Sequence, residues 1–284
     1  MGKRNFHELL KARFEKQKTM LCVGLDTEWA KIPARRQYGD IIQDIVRFNG
    51  SIIEWTMDLV CAYKPNLAFY VSQGNEGVYA LKKTIECIRL LTPMVPVILD
   101  AKIGDIGKTN IQYAHEIFEF FGADAVTVHP YLGREAMKQF LDREEKGILV
   151  LCRTSNEGAG EFQDLVLPVP WSNKPRKLYE HVAHQVATVW NEHGNCGLVV
   201  GATYPEELAT VREILQNTDQ SEMPILIPGI GTQGGDIAKT VRAGKNYRGE
   251  GMIINSSSGI IFADDPRAAA TSLRDEINRC IKEE

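Results

Sequence analysis

Eight short apolar runs, separated by amphipathic stretches along the whole chain, constrain this sequence more than any other feature. They are LCVGLD (21–26), VCAYKPNL (60–67), VPVILDAK (95–102), ADAVTVHP (123–130), GILVLCRT (147–154), CGLVVGAT (196–203), MPILIPGI (223–230) and EGMIINSS (250–257). Each is too short for a buried helix and rich in Val, Ile and Leu, so each predicts a strand buried on both faces. Between them Ile41, Ile45, Phe48, Ile52, Trp55 and Leu59 recur at helical spacing, as do Ile111, Ala114, Phe118 and Phe121. Pro205 leads Glu206 and Glu207 into Leu208, Val211 and Leu215, a helix start with negative charge at its positive end. Asp265 and Pro266 open the last helix in the same way, with Leu273, Ile277 and Ile281 along one face. This alternation predicts an α/β fold, a (β/α)8 TIM barrel, whose usual length is about 250 residues. The whole chain, 1–284, is expected to be one such domain. A doubly wound sheet is the rival; it is disfavoured because no break in the alternation marks a second domain. The stretch 155–177, after the fifth run, is expected to be one long irregular loop.

Thirty-three Lys and Arg against 37 Asp and Glu leave a net charge of -4. That balance argues against a nucleic-acid binder relying on a general basic surface. No apolar run approaches the roughly 18 residues needed to cross a bilayer, and the first residues show no continuous hydrophobic region of a secretory signal. A soluble cytoplasmic protein is therefore expected, with neither nucleic acid nor membrane as partner. Cys22, Cys61, Cys87, Cys152, Cys196 and Cys280 form no C-x-x-C pair and read as small buried hydrophobes in a reducing compartment. His181 and His184 share a helix face but lack a third ligand, so they read as surface or packing residues and no metal site is expected.

A barrel carries its chemistry at the carboxyl ends of its strands. The candidates there are Asp26, Lys64, Asp100, Lys102, Asp105, His129, Arg153, Thr154, Ser155, Thr203 and the turn at 228–235. In VILDAKIGDIGKT, strand alternation puts Asp100 and Lys102 on one face, with Asp105 on the following loop. Charges at the end of an apolar strand are unfavourable unless paired. A rim salt bridge is the bland reading, and Lys64 closing the second run tilts the balance toward function. PGIGTQGGD holds G-x-G-x-x-G at Gly229, Gly231 and Gly234. A dinucleotide fingerprint belongs to a first βαβ unit; at the seventh strand the same glycines read better as a phosphate cradle. A plain tight turn is the remaining alternative.

Together DAKIGDIGKT, VGLD, YKPN, RTSN and PGIGTQGGD resemble the orotidine 5′-phosphate decarboxylase family, most of all its longer bacterial type, over residues 21–263. The resemblance implies a cofactor-free, metal-free carboxy-lyase that turns orotidine 5′-monophosphate into UMP and CO2 in pyrimidine biosynthesis. It implies an alternating charged catalytic tetrad of Lys64, Asp100, Lys102 and Asp105, with Lys102 as proton donor. It further implies a homodimer with shared active sites, in which Asp105, Ile106 and Thr109 are donated by the partner chain. Asp26 would bind ribose hydroxyls, and Ser155 the pyrimidine amide edge. Gln233, from a closing loop, would hold the phosphate together with Gly229 and the backbone around Ser257. Two positions depart from the family pattern. His129 replaces another polar residue, and Ser258 stands where an Arg normally meets the phosphate. The alternatives are a Mg-dependent sugar-phosphate decarboxylase or aldolase of the same superfamily, disfavoured by Ile106, Thr109 and RTSN, and a nucleotide binder with impaired catalysis, motivated by Ser258.

Overall fold

In the computed structural model, which describes residues 4–33, 38–230 and 235–283, each of the eight runs contains a strand. They are β1 (Leu21–Gly24), β2 (Ala62–Lys64), β3 (Ile98–Ile103), β4 (Ala125–Val128), β5 (Gly147–Arg153), β6 (Cys196–Val200), β7 (Ile225–Pro228) and β8 (Met252–Ser256). All pair in parallel, and β1 lies between β2 and β8, with Val23 opposite Tyr63 on one side and Ser256 on the other. The bridges Tyr63–Val97 and Asn66–Asp100 join β2 to β3 and close the ring. Closure excludes a doubly wound sheet, which has two free edges.

The helices between strands begin where the sequence marks them. Asp40 caps Ile41–Thr56 by accepting from the Gln43 N–H, and Asp265 caps Pro266–Lys282 by accepting from the Ala268 N–H. Pro205 opens Pro205–Asn217, with Glu206 and Glu207 in its first turn. Such acids satisfy free N–H groups and oppose the positive helix end. Ile45, Phe48 and Ile52 are buried as expected. The helix Gly107–His115 differs: Ala114, Phe118 and Phe121 are buried, but Ile111 is exposed. Asn110 takes the inward position, and its side-chain amide donates to the carbonyls of Asp105 and Ala136. The helix then widens into a π turn, Glu116–Phe120, which shifts the inward stripe.

An additional helix, Phe6–Gln17, precedes β1 and covers the amino-terminal end of the barrel. Its Arg13 is buried and donates to the carbonyls of Val60 and Met57. Phe6 lies so close to Gly147, the first residue of β5, that a Cβ there would sit 2.3 Å from the Phe6 ring. The stretch 155–177 is likewise more ordered than the expected irregular loop. It forms one helical turn, Gly160–Gln163, and a two-residue antiparallel ladder of Val166–Leu167 with Arg176–Lys177. Arg153 at the end of β5 anchors it through Asp164 at 3.1 Å. Trp171 stacks on His184 at 4.2 Å and donates to His181 Nδ1, so both histidines serve packing. Cys22, Cys61, Cys152, Cys196 and Cys280 are buried, Cys87 is half-buried, and all six are free thiols. No helix among the described residues is long and apolar enough to cross a membrane.

Candidate active site

Side chains from the carboxyl ends of β1, β2 and β3 meet in one line of alternating charge. Lys64, the last residue of β2, donates to Asp100 Oδ2 at 3.0 Å, and its Nζ lies 3.6 Å from Asp26 Oδ1. Lys102 Nζ donates to Asp100 Oδ1 at 2.5 Å, and Thr127 Oγ1 donates to the same oxygen at 2.8 Å. The order is Asp26, Lys64, Asp100, Lys102. Lys64 and Asp100 are buried, while 46% of the Lys102 side chain is exposed. Asp100 and Lys102 do converge, but not through regular alternation. The β3–β4 register shifts between Leu99 and Ile103, and Lys102 has φ +49°, in the left-handed region.

Burial opposes charge on Lys64, yet the facing Asp100 and Asp26 outweigh it and hold its ammonium well above the usual lysine range. Burial likewise works against the Asp100 carboxylate, and Lys64 and Lys102 overcome it, holding the group well below the ordinary range. For Asp100 the lowered folded value means stability gained above the unfolded pKa of about 3.9 and lost as pH falls through the folded value. For Lys64 the raised value means stability present below about 10.4 and lost only as pH rises through the folded value. The pair therefore stabilises the fold at all intermediate pH. Asp100→Ala leaves Lys64 buried with only Asp26 beside it, and urea melts at pH 7 should show a loss of about 3–5 kcal/mol. Burial also pushes the Cys22 thiol up to about 12, so it is protonated at neutral pH.

Other expected residues are placed around this line. Asp26 Oδ1 is enclosed, with the Lys64 ammonium 3.6 Å away and no hydrogen-bond donor on it. A Cβ at Gly24 would lie 1.9 Å from Ser257 Oγ, so β1 and the end of β8 approach at a distance only glycine allows. Asn255 pairs across β8 with Pro228 of β7, which places Ser257 and Ser258 between Gly229 and the end of β1. Ser155 packs against the backbone of Gly201, just after β6. The adjoining Thr154 is pinned by Gln163, which accepts from its N–H and donates to its hydroxyl. His129 Nε2 lies 3.1 Å from the Gly104 carbonyl, under the loop after β3.

Asp105, Ile106 and Thr109 are not brought to the charge line within one chain. The Asp105 carboxylate accepts from the Ile106 N–H, its own N–H donates to Asn110, and Ile106 and Thr109 are exposed. Gln233, Gly231 and Gly234 lie outside the described residues. Thr127 and Asn255 escaped the sequence reading. Thr127 is a hydroxyl inside the apolar run AVTV, and Asn255 is buried with an unpartnered Oδ1. A polar residue within a strand buried on both faces was the available signal for each.

Fold and site together define a (β/α)8 barrel with paired ammonium and carboxylate groups at its strand ends. Comparison with known proteins carries the assignment further: residues 19–273 match the family model of Orotidine 5′-phosphate decarboxylase / HUMPS, and the chain belongs to that family. It is 46% identical to the orotidine 5′-phosphate decarboxylase of Janthinobacterium sp. (strain Marseille), covering 97% of this chain and 99% of that one. The structure of Leishmania donovani OMP decarboxylase superposes with a TM-score of 0.82 at 38% identity, covering 98% of this chain and 99% of the other. Leishmania donovani UMP synthase superposes with a TM-score of 0.85 at 39% identity; 98% of this chain spans 57% of that longer protein.

Proposed function

We propose that this chain, as one domain over 1–284, decarboxylates orotidine 5′-monophosphate to UMP and CO2 in cytoplasmic pyrimidine biosynthesis. The observation that carries the reading is the half-exposed Lys102 ammonium bonded to the buried Asp100 carboxylate, at the family's motif positions. Cleaving the bond between pyrimidine C6 and the carboxylate releases CO2 and leaves its electron pair on C6. A fixed cation must face that developing charge, and a proton must quench it. Lys102 supplies both: Nζ gives a proton to C6, the product is UMP, and water reprotonates the amine. Asp100 beside the substrate carboxylate is relieved of like-charge contact as CO2 leaves. Lys64, held between Asp26 and Asp100, keeps the line in order, and the Asp26 carboxylate accepts from a ribose hydroxyl. Ser155 meets the pyrimidine amide edge.

The same reading places Asp105, Ile106 and Thr109 across a homodimer interface. The exposure of Thr109 and of Ile106, at 63%, supports it. Neither metal nor nucleic acid takes part. Loss of the ultraviolet absorbance of orotidine 5′-monophosphate on adding the protein, unchanged by EDTA, is the expected result. No loss removes the reading, and loss abolished by EDTA overturns its metal-free part.

Gly229, Gln233, Ser257 and Ser258 are proposed to hold the phosphate. Arg offers a planar fork with two charge-assisted hydrogen bonds, whereas Ser258 offers one neutral hydroxyl. The difference is about 2–5 kcal/mol of binding, by analogy with truncated buried charge pairs. Remote binding energy of this kind is used to position the reacting ring. Ser258→Arg should therefore raise kcat/KM by at least about tenfold, with little effect on a truncated substrate lacking the phosphate. Steady-state kinetics on both substrates tests this, and equal or lower activity in the variant shows that another residue has taken over the anion.

A further inference from the structure

We propose that Thr127 is a positioning residue of the reaction, its single hydroxyl fixing Lys102 relative to Asp100; the inference rests on the decarboxylase reading above. Thr127 is fully buried in β4. Its Oγ1 donates to Asp100 Oδ1 at 2.8 Å and accepts from the Lys102 backbone N–H at 2.9 Å. The direction of both bonds is forced. An ionised carboxylate only accepts and an amide N–H only donates, so the one hydroxyl proton points to Asp100 and a lone pair faces Lys102.

Those bonds sit at the irregular point of the strand. The β3–β4 register shifts between Leu99 and Ile103, and Lys102 occupies φ +49°. A left-handed conformation is unfavourable for a side-chain-bearing residue and persists only where its surroundings enforce it. The Thr127 hydroxyl supplies that enforcement by taking the Lys102 N–H that the shifted ladder leaves to a side chain. It thereby sets where the Lys102 side chain leaves the backbone, and it holds the carboxylate that receives the ammonium. Lys64 grips Asp100 through the other oxygen, Oδ2, so the two contacts on Asp100 are separate.

Thr127→Val keeps the shape and removes the hydroxyl. The Lys102 N–H then lacks its partner, the backbone relaxes, and the ammonium is displaced from its working position. A misplacement of about 1 Å can lower a rate by about 10²-fold, so kcat is expected to fall by about 10–100-fold, with KM changed by less than about threefold. Thr127→Ser should restore most of kcat.

Amide hydrogen exchange at Lys102 gives a readout that needs no activity. It should accelerate in Thr127→Val while Val126 and Val128 are unchanged. Should the Val variant not fold, Thr127→Cys keeps the size with a much weaker donor and is expected to show the same losses. A kcat within about threefold of wild type in the hydroxyl-free variant overturns the proposal. Equal losses in the Ser variant, tracking melting temperature alone, also overturn it, as does unchanged Lys102 exchange. An inactive wild-type chain whose Lys102 amide is freed by the Val change instead overturns the decarboxylase reading and supports the geometric role of the hydroxyl.

Discussion

Lys102→Ala lowers kcat/KM by at least about 10⁴-fold, because a proton donor and a preorganised cation each contribute about 10²-fold or more. Lys64, the other ammonium of the line, is buried between Asp26 and Asp100 and cannot replace it. The protein nevertheless folds. Asp100 keeps Lys64 on one oxygen and Thr127 on the other, so truncation leaves no unpaired buried carboxylate. Alanine inherits the left-handed backbone at position 102, an unfavourable conformation worth about 1–2 kcal/mol that lysine already tolerates. Thermal melting should therefore give a transition close to that of the wild type. Stopped or steady-state assays on the folded variant test the chemistry directly, and turnover near wild type would remove Lys102 from the proton transfer.

Mixing two inactive proteins should regenerate activity. Asp105→Ala removes a carboxylate that, within one chain and among the contacts described, accepts only from the neighbouring Ile106 N–H. Its loss would matter little if the site belonged to one chain, yet the proposed shared site makes this variant inactive. In a heterodimer of Lys102→Ala with Asp105→Ala, one site holds an intact Lys102 and receives an intact Asp105 from the other subunit, while the second site lacks both. Statistical exchange across a twofold interface restores up to about a quarter of the sites. Activity should rise from background as subunits exchange, followed by mass spectrometry of the mixed dimer. Heterodimer formation without recovered turnover would show that each site is built from one chain.

Much of this architecture was legible because hydrophobic periodicity is a local property. A run such as ADAVTVHP is buried on both faces whatever its neighbours, and Asp265 ahead of Pro266 marks a helix start from the sequence alone. The helix Phe6–Gln17 was obscured because its inward face includes Arg13, whose buried guanidinium is satisfied by the carbonyls of Val60 and Met57. Ile111 was placed inward by spacing, and the π turn after His115 gives that place to Asn110. The stretch 155–177 reads as irregular because its order comes from contacts outside it, such as Arg153 with Asp164.

The sequence by itself determined that strands and helices alternate around a ring, and which charged residues end β1, β2 and β3. It also carried the motif strings by which the family is known. Only the tertiary structure decided the order Asp26, Lys64, Asp100, Lys102, the engagement of the Asp105 carboxylate with the Ile106 N–H, and the joining of Thr127 to both Asp100 and Lys102. The contacts of Lys64 with Asp26 and Asp100, and of Thr127 with Asp100 and Lys102, link residues far apart in the chain, so they exist only once β1 to β4 lie side by side in the closing sheet. They also depend on a register shift and one left-handed residue. Apolar patterning specifies which faces are buried, but it leaves open where a strand slips against its neighbour, and the slip is what aims Lys102 at Asp100.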